Sequence, residues 1–167
     1  MRVVVGLLFV GHGAQKLFGV LGGPGLSGTA DHFDAIGLRP GHVHARVAGT
    51  AETAAGALLV LGLLTPVGAA LVIAVMVAAI LTVGLRNGIW ITNAGCEYEL
   101  VMAAAAFALA GAGLGRWSLD GALGIDWSST GWALAALGAG AIGGLGAVVG
   151  GRIAPARERR DAPPHPA

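Results

Sequence analysis

Charge is scarce in this chain. Ten Lys and Arg and nine Asp and Glu amount to 11% of its 167 residues, where a soluble domain carries roughly 25%. So few ionised side chains, several of them bunched near the C-terminus, do not coat the exterior of a water-soluble domain of this size. A mean hydropathy of +0.76 and a 55% hydrophobic content make lipid the solvent instead. An excess of either sign is also missing: a formal net charge of +1 offers no basic field, which excludes nucleic acid as a partner. Cysteine is nearly absent. Cys96 alone rules out an intrachain disulfide framework, a CxxC redox pair and a thiolate metal cage, and its acidic neighbour Glu97 disfavours a catalytic thiolate.

Apolar length is what the chain does have. A membrane crossing takes about 20 mostly apolar residues, and five runs approach that length. The first, Val3 to about Val20, is interrupted by His12, Gln15 and Lys16 and stopped by Gly22, Gly23, Pro24 and Gly25. It begins so near the start that either the natural chain extends upstream or this helix sits at the membrane edge. A signal peptide is the competing reading, opposed by Gln15 and Lys16 where cleavage should approach. The second run, His44 to Leu64, and the third, Val67 to Leu85, form a tight helical hairpin, with Pro66 suited to a first helical turn. The fourth covers Glu97 to Gly113. The fifth, Trp132 to Gly150, carries Gly140, Gly144, Gly146 and Gly150 at GxxxG spacing, small faces suited to close helix packing and to pairing with a second copy. Residues 152–167, rich in Pro and charge, are expected to be disordered. The fold class is therefore all-α, a polytopic membrane bundle: a four-helix unit over 1–124, an additional apolar helix over 125–151, and a polar tail over 152–167.

Connectivity gathers the polar residues. If the first helix ends on side A, the second starts on A, the third ends there and the fourth starts there. His12 and Glu52 then share a level, roughly 12 Å below the A surface at helical rise. Lys16 lies one turn from His12, and Glu97, Tyr98 and Glu99 open the fourth helix on the same side. A charge inside the membrane costs about 2.5 to 3.5 kcal/mol and should face a partner, so Glu52 is expected to meet Lys16 or His12 while Arg46 snorkels outward. Two meanings stay open: a proton-transfer or quinone-contact pair built on Glu52 and His12, or a buried ion pair that fixes helix register. No metal site is expected. His32, His42 and His44 with Asp31 and Asp34 occupy a Gly- and Pro-rich A-side loop without metal-ligand spacing. Trp90, Trp117, Trp127 and Trp132 read as interfacial anchors.

Several stretches, taken in order, resemble the DoxX family of small bacterial membrane proteins: Gly11-His-Gly-Ala-Gln-Lys-Leu-Phe-Gly19, Glu52 followed by Gly-Ala-Leu-Leu-Val-Leu-Gly-Leu-Leu-Thr-Pro66 after a short spacer, Asn87-Gly-Ile-Trp90, Glu97-Tyr98, and Gly115-Arg-Trp-Ser-Leu-Asp120. The resemblance runs over about residues 2–124. It implies a four-helix membrane bundle, an inner (plasma) membrane location, and kinship with the small membrane subunits of thiosulfate:quinone oxidoreductase and with proteins of thiol and oxidative-stress systems. His12, Lys16, Glu52, Glu97, Tyr98 and the Ser118-Leu119-Asp120 triplet fall on family motif positions. Asp120 lies on side B, away from the cluster, and is expected to cap or anchor. The fifth span and its Arg-rich tail lie beyond the family core. If that span crosses, Lys16, Arg39, Arg46, Arg86, Arg152, Arg157, Arg159 and Arg160 share side A, leaving Arg2 and Arg116 opposite, which makes side A cytoplasmic.

The first functional reading is a membrane subunit or anchor of a quinone-linked redox or oxidative-stress system. Catalytic candidates are His12, Lys16, Glu52, Glu97 and Tyr98; His12 and Glu52 are the candidates for contact with a quinone, the one cofactor the resemblance points to. Its partners would be membrane lipid and a soluble redox protein or partner subunit. The competing reading is a non-catalytic scaffold recruiting soluble redox partners through the A-side loops. Small-solute transport rests only on the buried charges, since the chain shows no convincing inverted repeat.

Overall fold

The computed structural model describes residues 1–113, 115 and 117–161, with side chains through 153; Arg116 and residues 162–167 lie outside the described set. Among the described residues the chain is helical and without strands. Helix α1 (Arg2–Phe18) stops where Gly19 turns left-handed at φ 70 and returns its N–H to Gln15, a conformation that costs a glycine little. Helix α3 (Gly41–Leu61) closes in the same way at Gly62, φ 64. The apolar run that follows makes α4 (Thr65–Ala79), which continues through a π-helical turn, Ile80–Gly84, into the short α5 (Leu85–Asn87). Pro66 sits in the first turn of α4, as the sequence predicts. A 3₁₀ turn at Ile91–Asn93 leads to α6 (Glu97–Ala112), then come α7 (Leu119–Ala122) and α8 (Thr130–Asp161).

The expected A-side loop is instead largely helix. Gly25–Ala35 forms α2, and His42 and His44 belong to the first turn of α3. Most of the glycines and prolines that read as loop lie at or beyond the ends of α2, with Gly28 alone in its interior. Within it Thr29 is buried and its hydroxyl donates to the Gly25 carbonyl, so one face of this short helix docks on α1 and α3. Asp34 then accepts from the N–H of Gly41 at 2.8 Å, capping α3 three residues before its predicted start.

Helix α4 is the centre of the bundle. It carries no charge, and it is flanked by α3, α6 and α8 while α1 lies outside along α3. Its Ala69, Val72, Ile73 and Met76 join Phe9, Leu59, Met102 and Ala106 in one continuous core. Two backbone-close seams hold the rest. Along the first, α1 and α3 run antiparallel: a Cβ built on Gly6 would stand 2.7 Å from the Gly56 carbonyl oxygen, and one on Gly13 2.7 Å from that of Gly49. Along the second, Gly140 and Gly144 of α8 press on α4, a Cβ on Gly144 falling 2.5 Å from the Ala74 carbonyl oxygen. Gly140 and Gly144 are thus used inside the chain, while Gly146 and Gly150 face open space.

Two stretches, Thr65–Asn87 and Thr130–Ile153, are long and apolar enough to cross a membrane by length and composition. Helices α1 and α6, at 17 and 16 residues, are shorter, and α3 carries the polar residues. Large apolar side chains look outward from several helices, among them Val4, Leu7, Val101 and Ile142, the surface of a helical membrane bundle. The end of α8 arrives at side A. There the Gly151 carbonyl accepts from the Arg39 N–H at 3.0 Å, and the Arg152 guanidinium reaches the Leu81 carbonyl of the π turn at 3.3 Å. The helix runs on to Asp161, so the stretch from Arg152 to Asp161 is helical where the sequence predicts disorder; the rest of the predicted tail, 162–167, lies outside the described residues.

Candidate functional site

Glu52 is 2% exposed, midway along α3. The α1–α3 register puts Lys16 level with about Arg46, roughly 9 Å nearer side A than Glu52. A lysine at that depth ordinarily snorkels toward water. Lys16 turns inward instead, its Nζ 2.5 Å from Oε1 and 2.7 Å from Oε2 of Glu52. Arg46, by contrast, is exposed. The pair is not sealed, because the Lys16 side chain remains 26% exposed. Two of the three ammonium protons serve Glu52, which leaves one N–H available.

His12, one turn before Lys16 on α1, meets Tyr98 at the start of α6. Its Nε2 lies 3.2 Å from the Tyr98 Oη, with the rings edge-on at 6.1 Å between centroids. Its Nδ1 lies 3.2 Å from Oε1 of Gln15. Four of the five predicted site residues, His12, Lys16, Glu52 and Tyr98, therefore gather near side A from three helices.

Glu97 does not join them. Its Oε2 accepts from the Ile91 N–H at 3.1 Å and caps the 3₁₀ turn of the preceding loop. Neighbouring helical residues diverge by about 100°, so Glu97 and Tyr98 cannot share a face. Gln15 and Glu99, outside the five candidates, also lie in this region of α1 and α6. Glu99 Oε2 is buried without a hydrogen-bond partner among the described residues. For Gln15 the signal is its place three residues after His12, on the same face of α1. The three histidines that the sequence places in one A-side loop are dispersed: His32 and His42 are exposed, and His44 is half-buried beside Gly151. Among the described residues no three His, Cys, Asp or Glu side chains converge for a metal.

Asp120 behaves as an anchor. It is 0% exposed, its carboxylate accepts from the N–H of Leu64 at 2.9 Å and of Thr65 at 3.2 Å, and its own N–H donates to the Gly62 carbonyl. It caps the start of α4 from a distant segment, while Ser118 caps α7 through its Oγ. Arg2 adds a further tie on side B, donating to the Trp117 carbonyl.

The polar groups near side A also suit a quinone head group. A quinone presents carbonyl acceptors and, when reduced, hydroxyl donors. The spare N–H of Lys16 answers the first, and the Tyr98 oxygen, whose lone pairs stay free while its proton faces His12, answers the second.

The profile of the DoxX family matches residues 1–85, ending short of Tyr98 and of the Ser118-Leu119-Asp120 triplet. A curated relative, the uncharacterized membrane protein Rv3486 of Mycobacterium tuberculosis, is 34% identical over 131 residues, which cover 72% of this chain and 77% of the relative. No solved structure matches the chain.

Proposed function

Since the chain belongs to the DoxX family of membrane proteins, we propose that it serves as a membrane subunit or anchor of a quinone-linked redox or oxidative-stress system in the bacterial plasma membrane. The observation that carries this reading is the inward-turned Lys16–Glu52 ion pair lying beside the His12–Tyr98 hydrogen bond. Ionisable groups placed inside a membrane mark substrate or proton pathways by default. A pair needed only for register would gain most from being sealed, yet a quarter of the Lys16 side chain is open.

A bound quinone would supply two-electron, two-proton chemistry. Lys16 would hold a quinone oxygen, Glu52 would orient the lysine, Tyr98 would accept from a reduced hydroxyl, and His12 would hold a proton. The arrival of α8 beside Arg39 supports a fifth crossing, which gathers the Arg-rich end on side A and makes that side cytoplasmic.

The test is gentle-detergent extraction of the tagged protein from its native membrane, with extracted quinone and co-purifying proteins quantified. Quinone near one per chain, falling at least tenfold in Glu52→Gln at unchanged protein yield, is the expected result. Stoichiometric protein partners with no quinone would replace this reading with the membrane scaffold.

A further inference from the structure

The glycine-rich turn after α1 does more than end a helix. Gly19 is left-handed, the Gly23 N–H donates to the Val20 carbonyl, and Gly23 lies against the Gln15 backbone, with no room there for a side chain. The turn thereby folds the Leu21 carbonyl back over the end of α1, where the Gln15 Nε2 donates to it at 3.1 Å.

That single bond orients everything behind it. A carbonyl only accepts, so the Gln15 amide must place its NH₂ on Leu21 and its Oε1 on His12. Oε1 only accepts as well, so the proton on the neutral imidazole sits on Nδ1. The Nε2 lone pair is left facing Tyr98, whose hydroxyl donates to it. This tautomer is assigned from the bond network. The three bonds all point one way: Tyr98 to His12, His12 to Gln15, Gln15 to Leu21.

We infer that Gln15 is a positioning residue that holds His12 as a neutral base with Nε2 presented to the Tyr98 hydroxyl. It rests on the proton-handling reading above and adds to it the accepting atom and the residue that selects it. A base is useful only with its lone pair aimed at the proton it takes, and the ring's other nitrogen sets that aim. When Nε2 gains a proton the ring becomes an imidazolium, and its Nδ1–H keeps the same acceptor, Gln15 Oε1, so protonation needs no rearrangement on that side. Of the charged and titratable groups nearby, Tyr98 on α6 bonds the ring, Lys16 lies one turn along α1 and is paired with Glu52 of α3, and Glu99 follows Tyr98 on α6.

The experiment is nitrogen-15 solid-state NMR of histidine-labelled, full-length protein in lipid vesicles at neutral and alkaline pH, with the His12 signals assigned by their loss in His12→Asn. The wild type is expected to show Nδ1 protonated and Nε2 bare. Gln15→Glu, which keeps an acceptor at Oε1, should retain that tautomer, whereas Gln15→Leu should shift at least half of the population to Nε2–H. A wild-type His12 protonated at Nε2 in its neutral form would overturn the assignment, as would an unchanged tautomer in Gln15→Leu. If Gln15→Leu fails to fold, the wild type and Gln15→Glu still decide the matter. Quinone content is read separately: the expected tautomer without quinone would remove the quinone reading and leave this assignment standing, and the opposite tautomer with quinone bound would do the reverse.

Discussion

Two buried carboxylates sit at opposite ends of the bundle and are held by different kinds of partner. Asp120, near side B, spends its lone pairs on backbone N–H groups of Leu64 and Thr65 and on the Thr65 hydroxyl. Glu52, nearer side A, is held by a flexible and partly exposed lysine. Backbone donors cannot leave without unwinding a helix, so Asp120 is fixed with the fold. A lysine can swing away, so Glu52 can change partner while the fold stays put. The same contrast separates the two ends: at side B the polar side chains bond chiefly backbone, whereas side A adds pairs of side chains bonded to each other, Lys16 with Glu52 and His12 with Tyr98 and Gln15.

The largest effect should follow Asp120→Ala. It strips the acceptor from two N–H groups at the start of α4, including that of Leu64, a non-glycine residue already in a left-handed conformation at φ 46. A loss of about 3 kcal/mol is expected, read as thermal unfolding in detergent; wild-type stability would erase the distinction between the two carboxylates. Next comes Gly56→Val, whose new side chain would meet the Gly6 carbonyl and the Val10 backbone across the α1–α3 seam. Overpacking of about 2 to 3 kcal/mol should loosen α1, and faster proteolysis within residues 2–18 would show it.

Lys16→Met should cost about 2 kcal/mol, because it strands Glu52. That figure is kept below the range for a sealed pair by the exposure of Lys16. The double variant Lys16→Met with Glu52→Gln should recover most of it while still losing quinone. A double variant as unstable as the single one would mean that the pair itself holds the helices. The smallest effects belong to α8. Gly144→Ala should destabilise by about 1 kcal/mol against the Ala74 carbonyl, whereas Gly146→Ala, open to the outside, should be neutral or stabilise by up to about 1 kcal/mol through helix propensity. Equal effects at the two positions would contradict the assigned face of α8.

Much of this contrast is legible in the sequence. Long apolar runs placed α1, α3, α4, α6 and α8, since lipid-soluble helices announce themselves by composition, and helix connectivity alone brought His12, Lys16, Glu52 and Tyr98 to one side. Asp120 was rightly set apart as an anchor. What escaped depended on local geometry. The helix α2 hid between glycine and proline clusters that mark its ends. The α1–α3 seam uses Gly6 and Gly13 against Gly49 and Gly56, a spacing of seven, while the more conspicuous GxxxG residues Gly140 and Gly144 turned out to serve α4 inside the chain. Glu97 shares the side-A level of Tyr98 at the start of α6, yet one residue of helix rotation sends its carboxylate to the Ile91 N–H. Gln15 gains its meaning only from Leu21, and no pattern in the sequence says that a turn will fold that carbonyl back.

Contact between the side-A cluster and a quinone is open to photolabelling. A light-activated azidoquinone applied to the protein in lipid vesicles, followed by peptide mapping, should label peptides containing His12 to Lys16 and Tyr98, with the label lost in Glu52→Gln and competed away by unlabelled quinone. Label confined to the lipid-facing residues of α8, or undiminished by competitor, would contradict the account and leave the Lys16–Glu52 pair as a feature of the fold alone.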